Sequence, residues 1–175
     1  MKGILIRRVS SDQIVHLKNI SRQSFIETFS AYNTAENMRK YLNKCFSIEK
    51  LTEELNNKSS EFYFAVLENK VIGYLKLNFA GAQTEINDSK ALEIERIYVL
   101  KEFHGRNVGQ YLYEKAVYQA KTNKLDYLWL GVWEKNLRAI NFYKKNGFVQ
   151  FDKHIFVLGE ERQTDILMKL ILNGN

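Results

Sequence analysis

The 175-residue chain has no proline, one cysteine, three histidines and no long uncharged apolar run. Average usage of about 5% would give roughly nine prolines, and their absence excludes no class of function. Cys45 is alone, which rules out an intramolecular disulfide and makes a reducing cytoplasm the expected setting. His16, His104 and His154 lack metal-ligand spacing with Cys45 or the acids, and neither HExxH nor CxxC occurs, so metal chemistry is not expected. A G-x-S-x-G elbow is missing, leaving no support for a hydrolase nucleophile. Without a run of about 18 apolar residues nothing is expected to span a membrane. The opening Met1–Arg8 is too short for a signal peptide.

What is present fits one domain over residues 1–175, long enough to bury about two-thirds of its unfolded surface. The net charge of +6 is uneven: residues 100–146 hold nine basic side chains against four acidic ones, and the remainder 17 against 16. Such an excess suits a polyanion, a membrane surface or nucleic acid. Nucleic acid is not favoured, because no helix-turn-helix, zinc spacing or RNA-binding aromatic signature accompanies it.

Hydrophobic spacing alternates strands with helices. Ile4–Val9 reads as a strand, and Ser10-Ser-Asp-Gln13 as a capping box opening a helix with Ile14, Leu17, Ile20 or Ser21, and Phe25 on one face. Thr34 can cap Ala35–Cys45, and Ser47 a short segment after it. Glu61–Leu67 and Val71–Phe79 read as a hairpin about Glu68-Asn-Lys70, with a possible bulge at Gly73. Gly81–Lys90 is a loop, Ala91–Val99 a strand and Val108–Thr122 a helix. Phe148–Leu158 and Thr164–Leu172 close the chain as a hairpin around Gly159-Glu-Glu-Arg162 that can offer a dimerisation edge.

Two segments carry a site pattern. In the first, Leu92-Glu-Ile-Glu-Arg-Ile-Tyr-Val99 leads through His104-Gly-Arg-Asn-Val-Gly109 into a helix. A strand, a turn of small and basic residues and a helix N-terminus make an anion site, because free N–H groups and the helix dipole converge there. In the second, Tyr127–Val132 is a strand apolar on both faces. Asn136 follows as an N-cap, Ala139, Ile140 and Tyr143 recur at helical spacing, and Gly147 stops the helix before Phe148.

The order of these two segments resembles the GNAT superfamily of acetyl-CoA dependent N-acetyltransferases. Leu92–Tyr98, Trp129-Leu-Gly-Val-Trp-Glu-Lys-Asn136, Phe142-Tyr-Lys-Lys-Asn-Gly-Phe-Val149 and Gln163-Thr-Asp165 are similar to the PaiA group, whose members acetylate spermidine and spermine. The resemblance implies an α/β (α+β) domain with a mixed sheet of about seven strands and about four helices. It implies that the strands at 91–99 and 127–132 splay, that pantetheine enters the gap, and that the backbone of Ile97, Tyr98 and Val99 meets it. The family turn, Gln or Arg, two residues, Gly, one residue, then Gly or Ala, maps onto His104, Asn107 and Gly109, departing at His104 and Asn107. Gly105, Arg106, Val108, Gln110 and Lys145 complete the implied cofactor contacts. Asn136 is implied to touch acetyl-CoA, and Tyr143 to face its sulfur as a general acid.

The implied partners are acetyl-CoA and a small cationic amine, with a homodimer open. Making a neutral amine from an ammonium of pKa about 10.4 at pH 7.4 costs roughly 4 kcal/mol, so a base must take a proton. Glu93 and Glu95 are the candidates, on one side of the strand if it is regular. Acetylation of a protein or xenobiotic amine, and a non-catalytic acyl-CoA sensor, are the other readings.

Overall fold

The structure is a computed structural model, and it describes residues 3–158 and 161–172. Among these, strands β1 (Leu5–Arg8), β2 (Ser60–Leu67), β3 (Lys70–Phe79), β4 (Ala91–Val99), β5 (Tyr127–Trp133), β6 (Val149–Leu158) and β7 (Glu161–Ile171) form one sheet ordered β1-β2-β3-β4-β5-β7-β6. All pairings are antiparallel except β4 with β5. The helices are α1 (Ile14–Phe29), α2 (Ala35–Cys45), α3 (Ile48–Asn56), α4 (Val108–Thr122) and α5 (Leu137–Lys145). The mixed seven-stranded α/β architecture is the expected one, with five helices where about four were expected. The expected β6–β7 turn falls partly outside the described residues, at Gly159 and Glu160.

Local chemistry explains the boundaries. The Ser10 N–H donates to Gln13 Oε1 at 3.2 Å, and the chain enters α1 through a single 3₁₀ turn. Thr34 Oγ1 and Ser47 Oγ accept from the N–H groups of Asn37 and Lys50, which starts α2 and α3 as separate helices. The β2–β3 hairpin turns through Glu68 and Asn69, both at positive φ (48° and 65°), as a two-residue turn matching strand twist requires. The bulge expected at Gly73 is present: Ala65 pairs with Gly73 and Val66 with Val71, leaving Ile72 over. A Cβ at Gly73 would lie 2.7 Å from the Tyr98 carbonyl oxygen, so β3 and β4 approach closely there.

Each face of the sheet buries an apolar cluster. Under α4 and α5, Leu75, Leu77, Ile94, Leu112, Ala116, Leu130, Ile140 and Tyr143 pack together. Under α1 to α3, Leu17, Phe25, Leu42, Phe46, Leu51, Phe62, Phe64 and Tyr74 do so.

The feature that positions the site is the end of the parallel pairing. β4 and β5 are in register only at Ala91–Glu93 and Tyr127–Trp129; beyond Glu93 the strands part. β4 is also irregular: Lys76 pairs with Arg96 and Leu77 with Ile94, so Glu95 is an extra residue. This bulge inverts the alternation. Ile94, Ile97 and Val99 join the α4–α5 cluster, whereas Tyr98 joins the other.

Candidate active site

The gap between β4 and β5 opens into a cavity of about 270 Å³. Its walls include Phe25, Phe29, Tyr41, Tyr98 and Trp133 on the aromatic side and Glu85, Glu93, Asp165 and His154 on the polar side; Asn136, Ala139 and Tyr143 line it from α5.

Glu93 sits where the strands part and is only 3% exposed. Its carboxylate accepts from Thr84 N–H (2.9 Å), Thr84 Oγ1 (2.5 Å) and Asn78 Nδ2 (2.9 Å). Burial pushes its pKa up, against the pull of those bonds. Asn78, fully buried, also donates to Glu95 at 2.5 Å and accepts from Ser60 Oγ at 2.9 Å. Both acids therefore face one side, although the strand is not regular.

Glu95 has a different environment. Lys76 Nζ lies 2.6 Å and Arg96 Nη2 2.9 Å from its oxygens, while Glu54 of α3 holds the same two cations at 3.0 and 2.8 Å. Burial pushes the Glu95 carboxyl up, but the Arg96 and Lys76 charges outweigh it and hold it below the ordinary range. Two carboxylates and two cations cancel in this buried network.

Opposite Glu93, Asp165 of β7 faces the cavity beside Gly131, where a Cβ would stand 3.7 Å from its Oδ2. Burial raises its pKa to about 6, with the nearby acids Glu85 and Glu134 adding to the rise and His154 opposing it. His154 Nδ1 lies 3.2 Å from Glu85. The sequence flagged residue 165 only through a resemblance; its chemistry depends on β7 inserting between β5 and β6. Gln83, 5% exposed, was equally hidden in a segment read as a plain loop. It accepts from Trp129 Nε1 at 2.7 Å, and the next residue, Thr84, holds Glu93.

Tyr143 is 6% exposed and packs on Phe142 and Phe148. Burial raises its phenol well above the usual value, and its hydroxyl has no hydrogen-bond partner among the described residues while the residue lines the cavity. Asn136 Oδ1 caps α5 by accepting from Ala139 N–H at 3.2 Å, and the residue also lines the cavity.

Of the three strand residues expected to offer backbone to pantetheine, two face the gap. Leu100 N–H donates to Ile72 O at 3.0 Å, and antiparallel alternation then turns Tyr98 toward β3 and Ile97 and Val99 toward β5. Tyr98 is thus a correction: it presents its ring, stacked on Tyr74, and not its backbone.

The turn before α4 has the geometry of an anion cradle. Gly105 (φ 76°) and Asn107 (φ 60°) are both left-handed, so Asn107 takes the conformation that glycine serves elsewhere. The N–H groups of Val108, Gly109 and Gln110 open α4 behind them, and Arg106 stands on the Phe103 ring. Gly109 approaches the Phe142 ring, and Gln110 Nε2 donates to Asn146 Oδ1 at 3.1 Å, so α5 runs beside the turn. Lys145 is exposed on the last turn of α5. His104 is engaged within the protein, with Nε2 2.8 Å from Val99 O and Nδ1 against Arg138. Among the described residues no cluster of three or more metal-ligating side chains occurs, and no helix is long and apolar enough to cross a membrane.

A splayed parallel strand pair, a cradle at a helix N-terminus and a free phenol on the next helix define an acyl-CoA transferase cleft, and residues 19–148 match the acetyltransferase (GNAT) family. The chain belongs to that family: it is an acetyl-CoA dependent N-acetyltransferase, with acetyl-CoA as co-substrate. It is 43% identical to an uncharacterized N-acetyltransferase of Lactobacillus delbrueckii subsp. lactis, over 98% of this chain and 99% of the relative. It is 27% identical to a spermidine N(1)-acetyltransferase of Thermoplasma acidophilum, over 83% of this chain and 88% of the relative. The crystal structure of the PaiA N-acetyltransferase of T. acidophilum in complex with coenzyme A shares the fold, with a TM-score of 0.81, 24% identity and coverage of 97% of this chain and 99% of that one.

Proposed function

We propose that the protein transfers the acetyl group of acetyl-CoA to a primary amine of a polyamine such as spermidine or spermine, by direct attack in the β4–β5 cleft. The observation that carries this reading is the composition of the cleft wall. Glu85, Glu93, Glu95 and Asp165 line it together, Arg96 being ion-paired to Glu54 and Glu95 and His154 Nδ1 lying 3.2 Å from Glu85, and they face a wall of aromatic rings. Carboxylates and aromatic faces both attract an alkylammonium.

In the proposed mechanism the acetyl-CoA chain lies along β4, with the backbone of Ile97 and Val99 toward it and its phosphates at residues 105–110. The substrate ammonium loses a proton toward Glu93 or Asp165, directly or through water; both are held above the usual carboxylate range, which narrows the gap to the amine. Glu95 stays ionised in its buried network and serves as a support. The neutral nitrogen attacks the thioester carbonyl, the C–S bond breaks, and the thiolate leaves. A phenol is a weaker acid than a thiol, about 10 against 8.5, and burial weakens Tyr143 further. Tyr143 therefore acts by donating a hydrogen bond to the developing thiolate, and the proton shed by the amine completes the thiol. The sheet running unbroken from β1 to β6 supports residues 1–175 acting as one domain.

Initial rates of thiol release with acetyl-CoA and spermidine, spermine, a lysine peptide or an aminoglycoside test the reading. Polyamines are expected to give the highest kcat/KM. A lysine peptide or aminoglycoside turned over faster than either polyamine overturns the assignment.

A further inference from the structure

The family's cofactor turn begins with glutamine or arginine, and here the position is His104. Its two ring nitrogens are both committed. Val99 O can only accept, so Nε2 carries the proton; Nδ1 of the neutral ring is then an acceptor, and Arg138 Nη1 donates to it. Partial burial, which lowers the His104 pKa, favours this neutral form. The imidazole thus ties the end of β4 to the second residue of α5 across the mouth of the cofactor turn.

We infer that Arg138 supplies the guanidinium that position 104 lacks, and that it holds the pyrophosphate of acetyl-CoA against the 105–110 turn. Three features support this assignment. Arg138 is exposed and takes part in no ion pair among the described residues, so its remaining donors are open. It is anchored by one nitrogen to His104, the first residue of the turn that leads to the N–H groups of Val108, Gly109 and Gln110 at the start of α4, and the rest of its planar fork keeps further donors. The remaining charged groups about His104 are Lys101 and Glu27. Glu27 accepts from the Lys101 N–H at 2.7 Å and from Gln23 Nε2 at 2.9 Å, and forms no ion pair with Arg138 among the described residues. His104 is then a positioning residue, and Arg138 a cofactor-binding residue.

Calorimetric titrations of the whole protein with coenzyme A, dephospho-coenzyme A and pantetheine test this. Arg138→Gln is expected to weaken coenzyme A and dephospho-coenzyme A about tenfold or more while leaving pantetheine unchanged. Lys144→Gln removes the same charge elsewhere on α5 and is expected to leave all three unchanged. His104→Ala, which frees the guanidinium without deleting it, is expected to weaken the two pyrophosphate ligands by a smaller factor. Coenzyme A affinity unchanged in Arg138→Gln overturns the inference. So does equal weakening of pantetheine, which indicates a structural role, and so does a loss confined to coenzyme A, which indicates the 3′-phosphate. Wild-type protein that binds no coenzyme A contradicts the location of the cofactor site itself, and is distinguishable from all of these.

Discussion

Tyr143 and Asp165 carry the sharpest expectations at the scale of single residues. Replacing Tyr143 by Phe removes one hydrogen bond to the leaving sulfur and keeps the packing on Phe142 and Phe148. kcat is expected to fall about 10- to 100-fold, with KM for the amine unchanged; an unaltered kcat in steady-state assays removes Tyr143 from the chemistry. Burial pushes the Asp165 carboxyl up from an ordinary 3.8 to about 6. The folded state therefore binds this proton more readily than the unfolded one. The cost of the ionised carboxylate is fully present above about pH 6 and is relieved as pH falls toward 3.8. Asp165→Asn at pH 7.5 is expected to stabilise the fold by about 1 kcal/mol, discounted for partial exposure, or about 2–4 °C in Tm. The same variant is expected to lower kcat/KM for the amine and to flatten its decline below pH 6. A calorimetric Tm at or below wild type, with the acid limb intact, contradicts both parts.

At the scale of elements, the decisive events are the parting of β4 from β5 and the bulge at Glu95. The strand at 91–99 was read in the sequence with the bounds it has in the structure. Its bulge was not read, although the alternation Leu92, Ile94 resumes only at Ile97 and Val99, after the two charged residues Glu95 and Arg96. The bulge is set by partners remote in sequence: Glu54 on α3 and Lys76 on β3 meet Glu95 and Arg96 in one buried quartet. Lys76 and Asn78 alternate with leucine as a solvated face would, yet both are buried beneath α1 and α3. Arg96→Met deletes one cation and leaves Glu54 and Glu95 to share Lys76. A destabilisation of about 3–5 kcal/mol is expected in urea unfolding. A loss below about 1 kcal/mol shows that the quartet does not hold β4 in place. The cradle was legible for a different reason: left-handed turns have few residue choices, and Gly105 and Asn107 are among them.

At the scale of the whole molecule, charge is sorted by position. The basic excess of residues 100–146 falls on the cofactor turn, α4 and α5, while Glu85, Glu93 and Asp165 gather at the other side of the cleft. One side thus suits an anionic co-substrate and the other a cationic acceptor. The sequence disclosed the basic half because its residues are contiguous. The acidic half was hidden because residues 85, 93 and 165 meet only after β7 has inserted between β5 and β6. The edge left by that insertion is β6, with Val149, Phe151 and Ile155 exposed along it. The most direct measurement of what this arrangement does is mass spectrometry of a reaction containing protein, acetyl-CoA and spermidine, quantified beside free thiol. The expected result is mono-acetylated spermidine in one-to-one proportion with released coenzyme A. Thiol release without acetylated spermidine, or no reaction at all, contradicts acetyl transfer to spermidine in the β4–β5 cleft.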